Sequence, residues 1–129
     1  MDTTSALYIS RLELLTKDLP FMSESDYPWE VIYLGENEED IKHKLLLDTE
    51  QSQKVEIADF LRNAVKEEDW YEEEELTAAR KYQELLKILQ EEIQNATAYR
   101  RGEIEIDIFI IGQLPNKEWL ALKTKSIET

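Results

Sequence analysis

The sequence predicts an α+β fold in which helices pack on one antiparallel sheet, and three observations carry that reading. Near the end of the chain Ile104, Ile106, Ile108 and Ile110 alternate with acids, and beyond a turn over residues 112–116 a second run extends from Trp119 to Ile127. This is the period-two pattern of a hairpin with one buried face. Upstream, Leu76, Ala79, Tyr82, Leu86, Leu89 and Ile93 recur at spacings of three or four, one apolar face that persists for about five helical turns. Residues 29–34 form a β-branched and aromatic run that Gly35 closes, which reads as a strand.

The remaining elements follow in chain order. Thr3, Thr4 or Ser5 can cap a first helix whose Tyr8, Leu12, Leu15 and Leu19 share one stripe, and Pro20 ends it at Leu19. After the strand at 29–34, Glu36, Glu38, Glu39 and Asp40 make a solvated turn. Ile41, His43, Leu45 and Leu47 then alternate as a strand would while also tolerating a helix. Ile57, Phe60, Leu61 and Ala64 give a short amphipathic helix. Asp69 with Glu72 three positions later forms a capping-box-like start to the long helix, and the acids through Glu75 lie where the helix dipole favours them. Arg100 and Arg101 before Gly102 read as a helix-end and turn feature. In the hairpin, pairing Asp107 with Lys123 and Glu105 with Lys125 sets Ile108 against Leu122 and puts opposite charges together on one face.

Composition narrows function by exclusion. At 129 residues, a single domain over 1–129 is expected, large enough to bury about two thirds of its unfolded surface. Twenty-nine acids against fifteen bases give a formal charge of −14, which repels phosphate backbones and anionic membranes. A basic protein that itself grips nucleic acid is the natural complement, and the plain alternative is that the acidity serves solubility only. There is no cysteine, so disulfides, thiolate zinc sites and thiol nucleophiles are excluded. His43 is the single histidine and cannot anchor a zinc site, no serine or aspartate sits at a spacing that suggests a triad with it, and the three glycines are too scattered to cradle a phosphate. Clustered carboxylates could in principle serve a metal-dependent enzyme, but their spacing shows no calcium-loop pattern. No leader-like or membrane-spanning apolar run occurs, and the expectation is a soluble, unexported, cytoplasmic protein without a cofactor.

Residues 21–30, Phe-Met-Ser-Glu-Ser-Asp-Tyr-Pro-Trp-Glu, place acids and aromatic rings between Pro20 and Pro28. A segment held stiffly at both ends loses less entropy on docking, so it suits a binding surface. A second acid-aromatic cluster runs over residues 69–75, Asp-Trp-Tyr-Glu-Glu-Glu-Glu, and the chain stops at Lys-Thr-Lys-Ser-Ile-Glu-Thr over 123–129. These three segments together resemble the sugar-nonspecific nuclease inhibitors, the nuclease A inhibitor family, from about residue 10 to the last residue. The resemblance is weakest over residues 35–54.

What the resemblance implies is specific. The fold would be an α-β-α sandwich like that of the pathogenesis-related-1 proteins. The function would be inhibition of a sugar-nonspecific, magnesium-dependent endonuclease by a protein that is monomeric when free. Glu24, with Asp26 beside it, matches the loop acid that family members insert toward the nuclease active site, and Asp69 and Trp70 match interface anchors. Thr129 matches the terminal threonine that reaches the catalytic magnesium of the enzyme, so the inhibitor holds no metal of its own. Each residue also has a plain reading: Glu24 and Asp26 as surface acids, Asp69 as an N-cap, Trp70 as a core anchor, Thr129 as a solvated tail. The competing function is an acidic interaction module for some other basic partner.

Overall fold

A computed structural model describes residues 2–17, 19, 27–36 and 52–127. Its helices are α1 (Thr3–Thr16), α2 (Ile57–Phe60) and α3 (Glu73–Glu91), and its strands are β1 (Glu30–Gly35), β2 (Ser52–Glu56), β3 (Gln94–Arg101), β4 (Glu105–Gln113) and β5 (Trp119–Ile127). All five strands form one antiparallel sheet in the order β1-β5-β4-β3-β2, so the fold is α+β.

The helices lie on one face of the sheet. Ile106, Ile108 and Ile110 of β4, Leu120 and Leu122 of β5 and Ala98 of β3 share a core with Leu12 of α1 and with Tyr82, Leu85, Ile88 and Leu89 of α3. Registers Ala98↔Ile110, Ile110↔Leu122 and Val31↔Leu122 line these side chains across four strands. The chain turns sharply from α3 into β3, where Ile93 presses on Gly112. A Cβ at Gly112 would lie 2.3 Å from the Ile93 Cγ2, so only glycine fits. On the opposite face Phe109, Ile111, Trp119 and Ala121 are also buried, with Ile32, Leu34 and Tyr99 packed on them.

Several expectations need correction. The first helix stops at Thr16, not Leu19, because the Lys17 backbone is already extended. Thr16 turns its hydroxyl back onto the Leu12 carbonyl at 2.7 Å. Its N-cap is Asp2 rather than Thr3, Thr4 or Ser5, and Ser5 is buried for another purpose described below. The long helix buries Leu85 and Ile88 at the centre of its stripe, with Leu76 and Leu86 at the margin. Its capping box is Glu72 with Glu75, not Asp69 with Glu72: Tyr71 N–H bonds to the Glu68 carbonyl and makes a separate turn first. Two strands escaped the sequence reading, β2 and β3, so Arg100 and Arg101 end a strand rather than a helix. The hairpin register is displaced by two residues, with Asp107 opposite Lys125 and Phe109 opposite Lys123. The turn takes residues 114–118, closed by Leu114 N–H on the Glu118 carbonyl at 2.7 Å, so β4 runs on through Gly112. The alternating stretch over residues 41–47 lies outside the described residues.

Candidate functional site

The termini of the elements sort into two poles. One pole is the β4–β5 turn. There Asn116 donates from Nδ2 to the Asp2 carboxylate at 3.0 Å, to Ser5 Oγ at 2.9 Å and to Glu118 Oε1 at 3.1 Å. Ser5 donates to the same Glu118 oxygen at 2.6 Å, and the Tyr33 hydroxyl donates to the other. Glu118 is only 8 % exposed, and these hydroxyls and amide satisfy a carboxylate that burial would otherwise penalise. They hold its pKa below the ordinary carboxyl value, the Ser5 hydroxyl first and the Tyr33 hydroxyl next. The start of α1 is thereby fixed at this pole.

From there α1 runs the other way, and α3 runs back toward the turn. Glu92, at the end of α3, accepts from Tyr8 at 3.1 Å and Arg11 at 2.9 Å on α1. Ten residues back along α3, the Tyr82 hydroxyl accepts the Trp29 indole N–H at 3.0 Å, beside the start of β1. The first half of α3 continues past that contact, so its N-terminus, the end of α1, the start of β1 and the end of β5 share the second pole. At this pole Thr124 donates from Oγ1 to the carbonyls of Tyr27, 3.2 Å, and Pro28, 3.1 Å. The Lys125 ammonium sits 6.0 Å from the centre of the Tyr27 ring and 3.5 Å from Glu105. A cavity of about 650 Å³ opens here between α1 and β1, lined among others by Glu13, Leu14, Lys17, Trp29 and Glu30.

The loop before α3 brings Asp69 and Trp70 to the second pole. Both are exposed, and Trp70 is 72 % exposed, its ring edge-on to Tyr71 with centroids 4.6 Å apart. An indole left that open does not anchor a core, which removes the plain reading of Trp70. Asp69 caps nothing, which removes its plain reading as well. The loop is nevertheless fastened. Gln83 on α3 donates from Nε2 to the Val65 carbonyl at 2.9 Å and to Glu67 Oε2 at 3.1 Å, and Arg80 donates from Nε to Glu67 Oε1 at 3.2 Å. These contacts lower the Glu67 pKa, the Gln83 hydrogen bond most of all.

Glu24, Asp26 and Thr129 lie outside the described residues, as does His43. What the structure does place are their neighbours in sequence, Tyr27–Pro28 and the end of β5, which Thr124 joins. Sequence reasoning overlooked Thr124, although a threonine following Leu120 and Leu122 on the inward side of a strand is a legible signal of a buried hydroxyl with a partner. Among the described residues no group of three or more His, Asp or Glu could hold a metal ion, and no helix is long and apolar enough to cross a membrane.

The second pole presents an exposed indole, flanking carboxylates and a fastened backbone. No curated protein matches the chain. The family described as nuclease A inhibitor-like protein matches it over residues 7–129.

Proposed function

Because this chain belongs to the nuclease A inhibitor-like family, we propose that it inhibits a sugar-nonspecific, magnesium-dependent endonuclease by seating its second pole in the basic cleft of the enzyme. The exposed Trp70 among acids at that pole is the observation that carries the reading beyond family membership. A nuclease cleft that binds polyanion attracts a protein of charge −14. A large ring with few torsions to freeze is the residue type that dominates such contacts. Glu24 and Asp26 enter the cleft, Asp69 and Trp70 anchor its rim, and Thr129 offers hard oxygen of the kind that magnesium takes. The inhibitor itself is monomeric when free, performs no catalysis and carries no cofactor. The burial of Phe109, Ile111 and Trp119 on the face away from α1 and α3 supports the α-β-α sandwich of pathogenesis-related-1 type for the whole chain.

The test is titration of the purified protein into a panel of magnesium-dependent nonspecific nucleases with DNA and RNA substrates. Activity should fall to its floor near equimolar ratio for at least one. Full activity at tenfold excess across the panel would instead make this an acidic module for some other basic partner.

A further inference from the structure

Resting on the reading that Trp70 contacts a nuclease, we infer that Gln83 and Glu67 are positioning residues, which hold the loop carrying Asp69 and Trp70 in its binding shape before the partner arrives. The loop is long and its exposed residues contribute little burial, yet it is tied on both sides of the indole. Below it, Leu61 and Ala64 are in the core. Three residues before Trp70, Glu67 is gripped by Gln83 through one oxygen and by Arg80 through the other, and Gln83 spends its second N–H on the Val65 carbonyl. Two residues after Trp70, the Glu72 N–H is held by Glu75 in the capping box. Gln83 and Arg80 lie three positions apart on α3, hence on one face of a rigid helix, and Tyr82 between them is buried.

The arrangement explains the acid at residue 67 better than solubility does. A free surface glutamate needs no two-point grip, and exposed pairs of this kind add little to global stability. Their effect falls on the loop instead. If releasing the grip leaves the competent shape populated about one fifth of the time, apparent affinity falls about fivefold, since the partner must then select that fraction.

The experiment is a double-mutant cycle between Gln83→Leu and Trp70→Ala, with inhibition constants measured on a magnesium-loaded nonspecific endonuclease. Gln83→Leu should raise the inhibition constant about fivefold, speed amide exchange over residues 66–71 and leave the melting curve in place. In the Trp70→Ala background the same change should cost well under fivefold, because only Asp69 is then left to be held. Glu67→Ala should reproduce Gln83→Leu and not add to it. An unchanged inhibition constant for Gln83→Leu, or a full fivefold loss in the Trp70→Ala background, overturns the positioning role. Those outcomes are separable from failure of the anchor itself, which would show as Trp70→Ala alone inhibiting as well as the parent.

Discussion

Trp29 donates its indole N–H to the Tyr82 hydroxyl at 3.0 Å, with both side chains buried. This bond ties the backbone that enters β1 to the middle of α3, the helix that follows the Trp70 loop.

Tyr82→Phe removes this acceptor from a buried N–H, so unfolding free energy should fall by about 1 to 3 kcal/mol in urea titration. The ring itself stays, and nuclease inhibition by the folded fraction should survive. A change below about 0.5 kcal/mol would mean that another acceptor, from the protein or from water, serves the indole in place of the phenol oxygen.

Trp70→Ala should separate binding from folding. At 72 % exposure the indole contributes little to the core, so the melting temperature should hold. The nuclease complex should weaken by at least about 2 kcal/mol in an inhibition assay. A large thermal loss with intact inhibition would reverse both assignments.

Glu118 predicts an acid-sensitive fold. Its folded pKa lies below the ordinary 4.5 because hydroxyls donate to the carboxylate, so the unfolded chain takes up the proton first as pH falls. Stability from this group is complete above the unfolded value and is lost as pH drops through the folded one. Glu118→Gln, which sets an amide N–H against the donors Ser5, Tyr33 and Asn116, should therefore cost most near neutrality, and its gap from the parent should narrow as pH falls below the ordinary carboxyl value of 4.5. A gap that is flat with pH would show that the carboxylate is not the linked group.

Deleting Thr129 should raise the inhibition constant tenfold or more, about 1.4 kcal/mol, without moving the melting curve. The penalty should shrink when binding is measured on metal-free enzyme. Glu24→Ala should cost roughly 2 to 5 kcal/mol in binding, the range for removing one partner of a buried charged contact. Parent-like inhibition by either variant would remove that residue from the interface.

What the sequence disclosed depended on which physical signal each part carries. The β4–β5 hairpin was legible because burial of one face imposes period two on Ile106, Ile108 and Ile110. Its register came out two residues off for the same reason. Sliding by two keeps every side chain on its proper face, and only the length of the turn, settled by the Leu114–Glu118 bond, decides between the alternatives. Strand β3 was hidden because its inward positions are Ala96, Ala98 and Arg100, small or charged residues that a packed helix tolerates as well as a strand does. At the candidate site, the clustering of acids and aromatics near Trp70 was visible, but whether the indole points inward or outward was not. The fastening of Tyr27 by Thr124 joins residues 97 apart in sequence, and no local pattern encodes that.

The strand order β1-β5-β4-β3-β2 has a kinetic side. Strands β3, β4 and β5 form a local meander with α3 feeding directly into it, so their pairing closes only short loops. The N-terminal contributions close very long ones: Tyr33 meets Glu118 at a separation of 85 residues and Ser5 meets it at 113. Loop-closure entropy disfavours such contacts until the meander exists to receive them. The C-terminal half is therefore expected to form first as a template, with α1 and β1 added to it late. Substitutions in α1 and β1 should then hasten unfolding while hardly slowing folding, which would make the clasp at Glu118 a latch on the lifetime of the native state.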